Sequence, residues 1–218
     1  MVIRFLLLSA FFLYTPSLWA QNIAISFTLP QSGLFATFSN GISGFDFTPT
    51  TNLLVTDLGW YDQDANGLNH NHPMGMYHTA TQALLATNTV TNASPLAGSN
   101  YRFEPITPLL LSAGITYTIA GYTNGPNFDP EVLNPVGGII FGDGFVFNRL
   151  RQDLSNGLQF PSQSGEDGAI QSFYLGMNFC YSIVAVPEPS TYLLCGLVAC
   201  IACPMIYLHR KQTTRCRR

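Results

Sequence analysis

An all-β fold, a single antiparallel β-sandwich of jelly-roll type, is predicted for the central part of this sequence by three observations. Apolar and polar residues alternate with the period of two that a half-buried strand requires. Turn signals interrupt the alternating runs at short intervals. No stretch between residues 21 and 186 carries an apolar stripe of helical period longer than two turns. Many short strands separated by frequent turns pack most readily as two antiparallel sheets.

The strands are expected in the following order. Leu54, Thr56, Leu58 and Trp60 fall on one face of a strand, with Val55, Asp57, Gly59 and Tyr61 on the other. Ile115, Tyr117 and Ile119 alternate with Thr116, Thr118 and Ala120, and Phe145 and Phe147 flank Val146. Phe173, Leu175, Met177, Phe179 and Tyr181 alternate with Tyr174, Gly176, Asn178 and Cys180. Leu54, Leu58, Trp60, Ile119, Phe173, Leu175 and Phe179 are the side chains expected to point inward. Ser39-Asn40-Gly41, Asn66-Gly67, Ala97-Gly98-Ser99-Asn100, Asn124-Gly125-Pro126, Gly142-Asp143-Gly144 and Asn156-Gly157 mark the turns.

This segment, Gln21 to Val186, is 166 residues long, which suits one domain with a sizeable core. Its only basic residues are Arg102, Arg149 and Arg151, set against eleven acidic ones, for a net charge of −8. A nucleic acid or an anionic membrane surface would need the opposite sign, so neither is expected as a partner. Cys180 is the one cysteine of the segment, so no disulfide can form within it.

The two ends differ in kind from the middle. Residues 1–20 carry Arg4, an almost wholly apolar run from Phe5 to Tyr14, and Ser17-Leu18-Trp19-Ala20 before Gln21. That is the pattern of a secretory signal peptide cut after Ala20. At the other end, Thr191 to Leu208 is 18 residues without a charge. A helix of that length reaches about 27 Å, close to the hydrocarbon thickness of a bilayer. Residues 209–218 follow as a basic tail, and five of the nine Lys and Arg residues of the chain lie in its last nine positions. Such a cluster stays on the cytoplasmic side, so the folded part is expected outside the inner membrane. Cys195, Cys200, Cys203 and Cys216 read as small apolar residues rather than ligands.

Between the sandwich and the span stands Val186-Pro187-Glu188-Pro189-Ser190, where two prolines keep the chain extended and accessible. In this order of motif, apolar span and Arg-rich end, the chain resembles the PEP-CTERM family of exported bacterial proteins. The resemblance implies that residues 187–190 are a sorting motif read by an exosortase, a membrane Cys protease or transpeptidase. It also implies a Gram-negative host that makes exopolysaccharide, an anchor that is transient, and a destination at the cell surface or in the extracellular matrix. A second resemblance rests on Val55-Thr56-Asp57-Leu58-Gly59, Gly67-Leu68, Leu84-Leu85-Ala86, Tyr101-Arg102 and Leu111-Ser112-Ala113-Gly114-Ile115-Thr116-Tyr117. Here the chain is similar to the β-sandwich domain called DUF4082, recurrent in such proteins; this implies a fold and not a reaction.

Three groups of residues bear on chemistry. Asp62-Gln63-Asp64-Ala65-Asn66-Gly67 matches the first half of a calcium loop, with Asp62, Asp64 and Asn66 as candidate oxygen ligands. The bidentate glutamate that an EF-hand needs is replaced by Pro73, so the choice is between a short calcium-pinned turn and a polar turn that satisfies itself. His70, His72 and His78 suit zinc or copper as a residue type, but Pro73 interrupts them and no third ligand is near, so solvated loop histidines are the expectation. Glu104, Glu131 and Glu166 are far apart and no nucleophile motif occurs, so no enzyme and no cofactor beyond calcium is expected. Trp60, Tyr61, Tyr77, Tyr101 and Tyr122 are either core residues or a platform for sugar rings. The function expected is a non-enzymatic structural role at the surface or in the exopolysaccharide or biofilm matrix, the alternative being a carbohydrate-binding module of lectin or adhesin type.

Overall fold

The computed structural model describes residues 21–28, 34–36, 40–123, 129–133, 138–164 and 174–184. The signal segment 1–20, the sorting motif 187–190, the span 191–208, the basic tail 209–218, Val186, Phe173 and Glu166 lie outside them. Among the described residues no helix is long and apolar enough to cross a membrane.

The described residues form an all-β fold, and their strand pairings are antiparallel. One sheet holds five strands in the order β1 (Asn22–Ile23), β16 (Met177–Ile183), β5 (Leu53–Tyr61), β9 (Tyr101–Leu111) and β8 (Leu96–Ala97). A second holds six, in the order β14 (Gln163–Ser164), β13 (Phe145–Leu154), β4 (Gly41–Pro49), β10 (Tyr117–Thr123), β6 (His72–His78) and β7 (Ala83–Val90). Two small sheets complete the fold: β15 (Tyr174–Leu175), β11 (Glu131–Leu133) and β3 (Leu34–Ala36) in one, β12 (Ile140–Phe141) and β2 (Ile25–Ser26) in the other. A 3-10 turn, Gly98–Asn100, leads into β9.

The two large sheets share one apolar core. Phe45 and Phe47 of β4, Phe145 of β13 and Phe179 of β16 meet there, with Phe47 and Phe179 stacked at 4.8 Å between ring centres. Met74 and Met76 of β6, Ile119 of β10, and Leu53, Val55, Leu58 and Trp60 of β5 complete it. A smaller cluster lies on the opposite face of the six-stranded sheet, where Leu158 and Phe160 cover Ile42, Tyr77, Ala120 and Tyr122.

Of the side chains expected inward, Leu58, Trp60, Ile119 and Phe179 are fully buried. Leu54 is not; its neighbours Leu53 and Val55 fill the core instead. The reason is a β-bulge. In the pairing of β5 with β16, Val55 faces Tyr181 and Asp57 faces Cys180, so Thr56 is skipped and the alternation changes phase there. Opposite the same point β9 loops out Ile106, Thr107 and Pro108. Ile115 stands before β10 and is exposed. The long run expected from Phe173 to Tyr181 is two strands in different sheets, parted at Gly176, where an added Cβ would meet the Trp60 ring at 2.7 Å. The indole takes the space that a side chain there would need.

Because Phe47 bridges β13, β10 and β16 through its ring contacts, Phe47→Ala should lower the unfolding free energy by about 3–5 kcal/mol. Urea denaturation of the two proteins measures it; a loss below about 1 kcal/mol would mean that the sheets are not held together at this ring.

Candidate functional site

One end of the fold collects the polar groups that the core excludes. The chain leaves β5 through the turn Asp62–Gly67, runs past Asn69 and His70, and enters β6 at His72. Two carboxylates fasten this loop. Asp62 is buried; its Oδ2 accepts Gly67 N at 3.0 Å and Arg102 Nε at 2.7 Å. Its carbonyl accepts Ala65 N, and its own N donates to Asn100 O. Asp129 Oδ1 accepts Asn69 N at 2.8 Å, and its Oδ2 accepts His70 N at 3.0 Å and faces His72 Nε2 at 2.8 Å. A backbone segment with no strand partner thereby has its donors satisfied by side chains.

Asp62, Asp64 and Asn66, the candidate calcium ligands, do line one groove, together with Asn69, Asp129 and Pro130. Asp64 and Asn66 are exposed, whereas Asp62 is turned inward onto Arg102. Among the described residues no three His, Cys, Asp or Glu side chains form a group that could hold a metal ion. The guanidinium of Arg102 also donates to the carbonyls of Asn92 and Ser94, so it ties this turn to the strand entry at Leu96.

The histidine expectation needs correcting. His72 is fully buried rather than solvated, on the inner face of β6, with its ring stacked on Trp60 at 4.1 Å and 6°. Its Nδ1 lies 3.3 Å from Tyr122 O, so both ring nitrogens face oxygen acceptors and a neutral ring can donate to only one of them. Burial pushes the imidazole below its ordinary value, against the opposing pull of Asp129. At Asp129 burial acts to raise the carboxyl, but the hydrogen bonds from His72, Asn69 and His70 outweigh it and hold it low. The pair is therefore a neutral imidazole donating to a carboxylate. His78 closes β6 half-buried, edge-on to Tyr117.

Glu131 is the residue that spacing in sequence did not single out. It is fully buried at the start of β11, its Oε1 accepting from Ser43 Oγ and its Oε2 without a partner among the described residues. Burial raises its carboxyl to about 7. Trp60 Nε1, His70 Nε2 and Thr123 Oγ1 also lack partners among the described residues, and all four atoms come from the same end of the fold. Thr123 follows Tyr122 on β10, and Trp60 lies with Glu131 against Gly176. Glu104 is half-buried and accepts from Ser94 Oγ. The five rings weighed as a sugar platform are all buried: Trp60, Tyr61 and Tyr101 in the core, with Tyr77 and Tyr122 beneath the 155–162 loop. None presents a face to solvent. Cys180 is buried too, its thiol pushed up to about 12 by burial and by Asp57, which makes it unreactive.

Comparison with known proteins adds no relative: no protein-family model matches the chain, and no curated protein matches it.

Two predictions follow from this end of the fold. The folded-state value of Glu131 lies near 7, above its ordinary 4.5, so the folded protein binds a proton more tightly than the unfolded chain. Its contribution to stability is full below about pH 4.5 and is lost as the pH rises to about 7, a loss of roughly 3 kcal/mol. Glu131→Gln removes that dependence. Urea unfolding at pH 5 and pH 8 should show the variant gaining on the wild type only at pH 8, and an equal difference at both values refutes the assignment. At the neighbouring turn, Arg102 already supplies the positive charge that Asp62 needs. Asp62→Ala should lower the melting temperature by several degrees, and a calcium chelator should leave the wild type unchanged. A chelator-sensitive melt would instead put a cation in the groove.

Proposed function

We propose that this protein is an exported PEP-CTERM protein, sorted and processed by an exosortase, with a non-enzymatic structural role at the cell surface or in an exopolysaccharide matrix. The observation that carries this reading is the pairing of the first and last described strands between the two predicted targeting segments. β1 starts at Asn22, two residues after the predicted signal-peptide cut, and β16 ends at Ile183, just before Val186-Pro187-Glu188-Pro189-Ser190. The two strands are neighbours, with Asn22 opposite Tyr181. The first and last described strands thus pair with each other beside the two predicted targeting segments.

The finer reading of the body is a jelly-roll-like sandwich. Its support is the pairing order. Of the six strands β4, β5, β6, β7, β9 and β10, the first pairs with the last, the second with the fifth and the third with the fourth. That is a long hairpin rolled up, the connectivity of a jelly roll. The structural role is favoured over a lectin by the burial of Trp60, Tyr61, Tyr77, Tyr101 and Tyr122, which leaves no ring among them to stack on a sugar.

Mass spectrometry of the mature protein from exosortase-positive and exosortase-deleted cells tests the proposal. The expected product of the first lacks residues 191–218, and that of the second retains them. Pro187→Ala with Glu188→Ala and Pro189→Ala should give the uncut form in both strains. A span still attached in exosortase-positive wild-type cells makes the tail an ordinary anchor and refutes the sorting reading.

A further inference from the structure

The small sheet of β3, β11 and β15 is joined to the large ones differently from any strand within them. Among the described residues its strands pair only with one another, and each is two or three residues long. Val132 enters the core, and Gly176 O, beside β15, accepts Tyr61 N. Two carboxylates on one extended stretch then tie β11 down. Asp129 reaches the loop before β6, and Glu131 reaches Ser43 of β4.

The two carboxylates are held very differently. Asp129 takes three donors: Asn69 N, His70 N and the imidazole of His72. Asp129 and His72 both lie below their ordinary values, so this pair keeps its charge state as the pH climbs through 7. Glu131 has one donor. Ser43 Oγ donates to its Oε1, its Oε2 has no partner among the described residues, and the residue is 1% exposed. No ion pair among the described residues includes it. The groups that face it are Ser43 on β4, the indole of Trp60 on β5 and the phenol of Tyr101 on β9. Burial, with Tyr61 and Glu131 nearby, pushes that phenol well above its ordinary value, so it stays neutral. One neutral donor is poor compensation for a buried carboxylate, so burial favours the acid form and raises the group to about 7.

Trp60 is unsatisfied at the same place. An added Cβ at Gly176 would meet Trp60 Cζ2 at 2.7 Å and Glu131 Cγ at 2.9 Å, so the indole and the glutamate stem lie against one stretch of backbone. Cζ2 borders the edge of the ring that carries Nε1, and Nε1 has no partner among the described residues. Moving β11 and β15 outward would admit water to Nε1 and to Oε2 together, and so satisfy both. Strands this short open locally at far lower cost than the large sheets unfold.

We propose that the β3–β11–β15 sheet is a flap, hinged at Asp129 and latched by protonated Glu131, which opens when Glu131 ionises and uncovers Trp60. The closed flap binds the proton of Glu131 more tightly than the open one, in which the carboxyl has its ordinary value of 4.5. The latch is therefore at full strength below that value and is lost as the pH rises through about 7. Asp129 keeps its three donors throughout, so the released sheet stays tethered at one end.

The test is acrylamide quenching of Trp60 fluorescence in the full-length chain in detergent, carrying Trp19→Phe so that Trp60 is its one tryptophan. Quenching should rise severalfold between pH 6 and pH 8 while the far-ultraviolet strand signal stays unchanged. Glu131→Gln, which keeps an acceptor for Ser43 and cannot ionise, should hold quenching low at both values. His70 and His78 remain in that variant, so a histidine response would survive in it. Hydrogen exchange of the unsubstituted chain, corrected for the intrinsic rate at each pH, gives a reading that does not depend on the variant folding. Residues 131–133 and 174–175 should lose protection at pH 8 while 117–123 keep theirs. Equal quenching at the two pH values, a rise that persists in Glu131→Gln, or protection lost in β10 together with β11 would each overturn the proposal.

Discussion

The stack of Phe47 on Phe179 is the contact on which the rest of the structure depends. Phe47 belongs to the central part of one sheet and Phe179 to the other, and each is ringed by further aromatic side chains: Phe45, Phe145 and Tyr117 around the first, Phe45, Phe145 and Tyr181 around the second. Aromatic rings bury more area per residue than any other side chain and lose little rotamer freedom in doing so. A body with no disulfide among its described residues draws its cohesion from such a cluster. The sheets then leave the polar groups to be sorted to the ends and the outer faces.

How far that sorting could be read from the sequence depended on the bulges. Alternation located β5, β10, β13 and β16 and placed Leu58, Trp60, Ile119 and Phe179 in the core, because a strand buried on one face repeats every two residues. It misplaced Leu54, since a single skipped residue at Thr56 moves every side chain before it to the other face. No residue type marks such a skip; Thr56 and Asn148 are ordinary strand and turn residues. Pro105 and Pro108 were the one local hint, as prolines are confined to edges and bulges, and β9 does loop out between them.

The polar end was less legible for a different reason. Asp62, Asp64 and Asn66 announced a tight turn, and the turn is there, but the partner of Asp62 is forty residues away at Arg102. The partner of His72 is fifty-seven residues away at Asp129. Spacing within a motif reports which groups can meet through local backbone geometry, whereas these pairs meet because β5 runs beside β9 and β6 beside β10. Glu131 gave no signal at all. Its burial follows from the third sheet, in which β11 lies between β3 and β15, and strands of two or three residues are too short to show a period.

The arginines of the folded part are placed by its buried carboxylates. With eleven acidic residues and three basic ones between positions 21 and 186, most carboxylates must be solvated, and those that are buried decide where the cations go. Asp62 and Asp129 show two ways of holding a carboxylate away from water. Asp62 takes a guanidinium and one backbone N–H, while Asp129 takes two backbone N–H groups and an imidazole. Either set meets the requirement that a buried charge be paired and hydrogen-bonded. Asp46 exceeds it, with two guanidinium groups and a hydroxyl. Losing Arg151 would leave Asp46 with the exposed Arg149 and with Thr118, whereas losing Arg149 would leave it with the buried Arg151 and Thr118. Arg151 is thus built into the fold, held also by Pro161 O and the Phe160 ring, while Arg149 pairs with the same carboxylate from an exposed place at the surface.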